Sequence, residues 1–198
     1  MKQLTACLAR MKLLDARIRQ ASESELEAVM QELVFPGVLN PFKLGLPLVL
    51  SMLCTLCSFA MPQPALWMGI FYLAGWPGHA VFAGIVPGVL LFCLVLFTLG
   101  SLTARGYWLA LRGYLILLRC VAVLATGYLL FMLAQLFLGH ALHPLFVAMS
   151  VAGVAFSALS FTSLNTPGFE RAVNGFLHNR AWRKAWLLRR QQTQKSRS

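Results

Sequence analysis

No carboxylate lies between Glu32 and Glu170. The stretch between them is dense in Leu, Val, Phe and Ala, as a segment crossing hydrocarbon must be. An acid at the centre of a membrane helix costs roughly 2.5–3.5 kcal/mol. The remaining acids, Asp15, Glu23, Glu25 and Glu27, all precede Glu32. Only 12% of the 198 residues are charged and 59% are hydrophobic. Soluble domains carry roughly 25% charge, so there is too little polar material here to cover a soluble fold. The chain is expected to be all-α, a polytopic membrane protein with four transmembrane helices.

The apolar runs place the spans at about 44–61, 80–102, 114–138 and 145–164. Pro62 and Pro64 should end the first, because proline donates no backbone hydrogen bond. Residues 65–76 are apolar and aromatic, with Trp67, Phe71, Tyr72 and Trp76. They are too few to cross a bilayer as helix and read as an interfacial or re-entrant segment. Pro87 should kink the second span. A basic, aromatic connector, T-A-R-G-Y-W-L-A-L-R-G, joins spans two and three.

Residues 1–43 and 165–198 flank this membrane domain. In 3–21, Leu4, Met11 and Ile18 recur every seven residues, with Cys7 and Leu14 between, giving a narrow apolar seam. Ser22 with Glu25, or Ser24 with Glu27, fits a capping box. It would start a second helix carrying Leu26, Val29, Met30 and Leu33, ended by Pro36-Gly37. The two helices suit an amphipathic cytoplasmic hairpin. Thr166 and Pro167 suit the start of a last helix, whose basic, aromatic end is expected to fray. The first forty residues hold no cleavable signal pattern, so the first span is expected to direct insertion.

Charge orients the spans. Lys43 and the N-terminal bases precede span one, Arg105 and Arg112 separate spans two and three, and the basic tail follows span four. Residues 62–79 and 139–144 contain no Lys or Arg. The positive-inside rule then places both termini in the cytoplasm. The net charge of +11 follows from this placement and not from nucleic-acid binding. The tail's Phe169, Val173, Phe176, Leu177, Trp182 and Trp186, set among bases, suit adsorption to anionic lipid.

Several residues are candidates for chemistry or contact. Arg105, Arg112 and Arg119 recur every seven residues, so one helix face would present all three to a partner or to lipid. Arg119 falls within a span, close enough to the cytoplasmic end to snorkel. Gly84 and Gly88 form a G-x-x-x-G pattern, and Gly153 and Ser157 share its spacing, with Ser160 nearby. Small residues let helices approach in lipid, within the chain or between copies. His79, His140 and His143 lie in outer loops but gain no carboxylate or accessible cysteine to complete a metal site.

Cys54-Thr-Leu-Cys57 is a C-x-x-C pattern near the outer end of span one. With four spans and inward termini it resembles the quinone-linked thiol oxidases of bacterial inner membranes. That family also needs a second cysteine pair in the other outer loop to relay oxidising equivalents. Here that loop has none, and S-F-A-M-P after Cys57 lacks the basic residue of the family's quinone site. Packing is the better role for both cysteines.

No nucleophile, base and acid share a depth in the spans, so an enzyme is not expected, nor a metal or other cofactor. The best-fitting class is an inner-membrane interaction protein that contacts a membrane partner through helices. An immunity protein, an assembly factor or a small subunit would have this form. The seam of Leu4, Met11, Leu14 and Ile18 would face that partner. A small transporter or oligomeric channel is the alternative, resting on Arg119 and the broken segment from Pro62 to Pro77. Lipids are expected partners, and a homo-oligomer is compatible.

Overall fold

A computed structural model describes residues 2–33, 41–139 and 143–195. Pro36, Gly37 and His140 lie outside the described residues. Every regular element among them is helical. Four helical stretches are long and apolar enough to cross a membrane: Gly45–Leu73, Gly78–Ala104, Trp108–Phe137 and Pro144–Leu164. The protein thus has the make-up of a multi-pass integral membrane protein. In each stretch's most apolar window the chain itself buries only 22–33%, leaving the rest for lipid or another protein.

The residues form two compact units. One gathers Met1–Leu48, Leu99–Arg112 and Leu164–Ser198. It contains α1 (Lys2–Gln20), α2 (Glu23–Glu32) and α8 (Pro167–Lys195). The other holds Val49–Thr98 and Gly113–Ser163. It is built from most of α3 (Pro41–Ala60), α5 (Val81–Ala104), α6 (Trp108–Phe137) and α7 (Pro144–Leu164), together with α4 (Gln63–Leu73) and a 3-10 turn, Gly78–Ala80.

In the first unit, α1 and α2 both pack on α8. The α1 seam is buried: Leu4, Cys7, Met11, Leu14 and Ile18 are all shielded, as are Leu26 and Val29 of α2. The covering face of α8 carries Phe169, Ala172, Val173, Phe176, Leu177 and Ala181. This corrects two expectations. The seam of Leu4, Met11, Leu14 and Ile18 does not face a partner, because the chain's own last helix occupies it. The tail is not frayed, since helix continues to Lys195. The seam is covered because two apolar faces, each unable to fold stably alone, bury one another; past Ala185, the last buried residue of α8, Arg189 pairs with Glu23 and Glu27 of α2.

The start of α8 follows its sequence signals. Pro167 is its first residue, and Thr166 Oγ1 accepts the Phe169 N–H at 3.2 Å. At α2, the Glu25 carboxylate accepts the Ser22 N–H at 2.7 Å and the Ser22 hydroxyl at 2.9 Å, so the Ser22–Glu25 pairing is the one used.

The expected connector between spans two and three contracts to Arg105, Gly106 and Tyr107, because α6 already begins at Trp108. Gly106 makes this possible. Its φ of 86° lies in the left-handed region, and a Cβ there would stand 2.8 Å from the Phe176 carbonyl oxygen of α8. Only glycine meets both demands at low cost.

In the second unit, α4 continues beside α5 where α3 leaves off. Phe59 stacks on Phe92 at 3.9 Å, Gln63 lies against Gly88, and Trp67 against Gly84. As α3 and α4 ascend, their α5 contacts descend, so the pair runs antiparallel to α5. The break is confined to Met61 and Pro62, and helical hydrogen bonds close on either side of it, Met61 N–H to Cys57 O and Leu66 N–H to Pro62 O. The helix α5 runs unbroken through Pro87.

Candidate functional site

Three places could carry function, and each is built from a different kind of residue. The first is a hydroxyl cluster in the second unit. Ser51, Thr55 and Ser58 are spaced by four and three along α3, so one face presents all three. Ser51 Oγ lies 2.6 Å from Tyr114 Oη of α6 and 2.7 Å from Ser160 Oγ of α7. Thr55 Oγ1 lies 3.1 and 2.9 Å from the same two oxygens. Ser58 donates to Gly153 O at 2.8 Å and lies 2.7 Å from Ser157 Oγ. Ser51, Thr55, Ser58 and Ser160 are fully buried.

Gly153 and Ser157 therefore pack within the chain. A Cβ on Gly153 would meet Met61, Ala125 and Ser58 at 3.4–3.7 Å. The hydroxyls touch one another, which leaves no room for an ion or substrate between them. The cluster ties α3, α6 and α7 together, each bond contributing on the order of 0.6 kcal/mol in lipid. The four- and three-residue spacing of Ser51, Thr55 and Ser58 is the sequence signal for this face. Cys54 and Cys57 sit on that same helix as free thiols, Cys54 buried and Cys57 half-buried.

The second place is a groove between α4 and the start of α5, about 680 Å³ in volume. Pro64, Met68, Phe71, Tyr72, Trp76 and Phe82 line it, with Gly69 on its wall. Nothing lies within 4 Å of where a Gly69 Cβ would stand. The lining contains no charged side chain. Gly84 and Gly88 serve the same region. A Cβ on Gly84 would meet the Trp67 indole at 2.2 Å, so the G-x-x-x-G face receives an indole ring from the neighbouring helix.

The third is the charged surface of the first unit. Arg180 and Arg19 both pair with Asp15, whose side chain is 2% exposed, while that of Arg180 is 13% exposed. Arg180 also donates to Gly106 O at 2.8 Å and stacks over Tyr107. Burial, and secondarily the like charge of Arg183, lower its pKa from the ordinary arginine value, but a guanidinium stays protonated. Lys184 Nζ donates to the carbonyls of Ile18, Arg19 and Ala21 at 2.8, 2.8 and 3.2 Å, capping the negative end of α1. At the opposite end, Asn165 Oδ1 accepts the Leu4 N–H at 3.3 Å. Arg189 pairs with Glu23 and Glu27.

Sequence reasoning passed over Asp15. A single acid among Arg10, Lys12, Arg17 and Arg19, next to the seam, was the available signal. Cys7 on the seam is inert as a nucleophile, its pKa pushed up to about 11 chiefly by burial and further by Glu170, against the opposing effect of Arg10.

The arginine series divides. Arg105 stands in the turn before α6, so α6 carries Arg112 and Arg119 only. This corrects the expectation of a three-arginine face, because Gly106 breaks the helical register. All three are exposed. Arg119 forms no hydrogen bond or ion pair with another described residue. His143 stands at the start of α7, its Nδ1 accepting the Leu145 N–H at 3.3 Å, and His79 sits exposed in the 3-10 turn.

No protein-family model matches the chain, and no curated protein or solved structure matches it.

Proposed function

We propose that this protein is a non-enzymatic membrane protein of the bacterial inner membrane that binds a partner membrane protein through its helices. Immunity, assembly or small-subunit roles all take this form. Both termini lie in the cytoplasm. The observation that carries the reading is the α4–α5 groove, a concave, uncharged and aromatic-lined surface on apolar helices. In lipid, apolar surface alone drives no association, so close packing must supply the attraction. A groove with an open wall at Gly69 offers a partner helix more contact than a convex face does. Phe71, Tyr72, Trp76 and Phe82 are side chains of the kind that anchor interfaces.

A photoreactive residue placed at Met68 in the full chain, expressed in bacterial membranes, should crosslink to one discrete polypeptide. The same residue at Leu94, an exposed position on α5 outside the groove, should not. Lipid adducts only, or identical products at both positions, would overturn the groove as the contact. Transport is the competing reading. Ion or solute flux through liposomes containing this chain alone would displace the interaction reading.

A further inference from the structure

All six acids of the chain are engaged within the first unit. Asp15, Glu23, Glu27, Glu32 and Glu170 pair with arginines, and Glu25 caps α2. The bases outnumber them, at 17. Two of the surplus lie beside one ring. Lys12 Nζ of α1 lies 5.7 Å from the centroid of the Trp108 ring, and the Arg112 guanidinium lies 5.8 Å from it. Both cations are exposed and Trp108 is half-buried. Neither cation meets a carboxylate among the described residues.

An indole face attracts a cation, and two cations beside one ring, with no carboxylate partner among the described residues, set up a positive potential there. Such a potential attracts an anion. Trp108 opens α6, one of the candidate spans, and tryptophan at a span end sits at headgroup depth. The neighbouring Leu109 and Leu13 are 56% and 68% exposed, so apolar surface adjoins the charge.

We infer that Lys12 and Arg112, set around Trp108, hold the phosphate of an anionic phospholipid from the surrounding leaflet. Arg112 supplies a planar fork for two phosphate oxygens. Lys12 adds a point charge from a separate helix, and the exposed leucines meet the first methylenes of the acyl chains. Bound lipid thereby ties α1 to the beginning of α6. This inference rests on the membrane reading but not on the groove.

The test uses the full chain in detergent, with native mass spectrometry counting retained lipid after titration with phosphatidylglycerol or phosphatidylcholine. Wild type should retain phosphatidylglycerol preferentially. Lys12→Gln/Arg112→Gln should lose that preference at least tenfold, each single variant should lose part of it, and Lys12→Arg/Arg112→Lys should keep most. Arg171→Gln/Arg190→Gln removes the same net charge on α8 and should behave as wild type. Wild-type retention in Lys12→Gln/Arg112→Gln overturns the site, and an equal loss in the α8 variant reduces it to general charge attraction. Displacement of the lipid by millimolar inorganic phosphate would make it a free-anion site instead. Circular dichroism on every variant confirms that helix is retained. Were the double variant to unfold, the two single variants decide by the same criteria.

Discussion

Asp15 and Arg180 illustrate how one pair of side chains organises the first unit. The carboxylate is held between Arg180 and Arg19, and Arg180 reaches on to the Gly106 carbonyl. Helix α1, helix α8 and the α5–α6 turn therefore share a single charged node. Removing one partner from a buried pair leaves an uncompensated charge, at about 3–5 kcal/mol. Asp15→Asn should accordingly destabilise the protein by about 3 kcal/mol, reduced somewhat because Arg180 keeps its carbonyl and ring contacts. Arg180→Met should cost a similar amount. The double variant should cost clearly less than the sum, because neither charge is then stranded. Thermal unfolding in detergent, followed by circular dichroism, measures all three. Additive losses would show that the pair is not coupled. By contrast, Arg10–Glu170 and Arg17–Glu32, with side chains about half exposed, should each matter by under about 1 kcal/mol.

At the scale of the element, α2 depends on its first turn. The Glu25 carboxyl is held below its ordinary value, first by the Ser22 N–H and then by the Ser22 hydroxyl. A folded pKa below the unfolded one means the stabilisation is complete above the unfolded value. It fades as pH falls through the folded value. Amide-exchange protection across α2 should therefore be higher in wild type than in Glu25→Gln at neutral pH. That difference should shrink as pH is lowered from neutral into the acid range through the folded value, which lies below the free glutamate value of about 4.3. An equal difference at neutral and acid pH would remove Glu25 as the source. The cap and the spans were legible in the sequence because each signal is local: a Ser and a Glu three residues apart, or an unbroken apolar run. The cover of the α1 seam was not. Its contacts join residues far apart in the chain, as Leu4 and Asn165 do. The covering face of α8 is also built partly of alanines, Ala172, Ala181 and Ala185, while the bulkier Trp182 and Trp186 remain exposed. The tryptophans dominate the composition of this segment, but its packing uses the alanines. The groove was equally hidden, since residues 65–76 show aromatic content but not that α4 lies along α5.

For the whole molecule, the contacts of the first unit bear on topology. Lys184 of α8 reaches the end of α1, and Arg183 donates to Arg105 O in the α5–α6 turn at 3.0 Å. The N-terminal helix, that turn and the C-terminal helix can meet only if an even number of crossings separates each from the next. Four spans satisfy this, with two before the turn and two after it. Three or five would leave one of the three segments on the opposite side. The distribution of charge is independent of these contacts and supports the same arrangement. Every Lys and Arg except Arg119 lies outside the residues between Leu48 and Leu99 and between Arg112 and Leu164, and the proposed direction, with both termini in the cytoplasm, rests on that pattern. Reporter fusions after Gly113 and Ser198 should therefore read as cytoplasmic, and fusions after Gly78 and Gly139 as external. Gly139 is the most demanding position, because it follows α6 directly and the segment to α7 is short. A cytoplasmic signal there would require α6 to re-enter without crossing. The basic helix α8 could then no longer share a side with α1, and the ion pairs and carbonyl caps that join them could not form in a membrane.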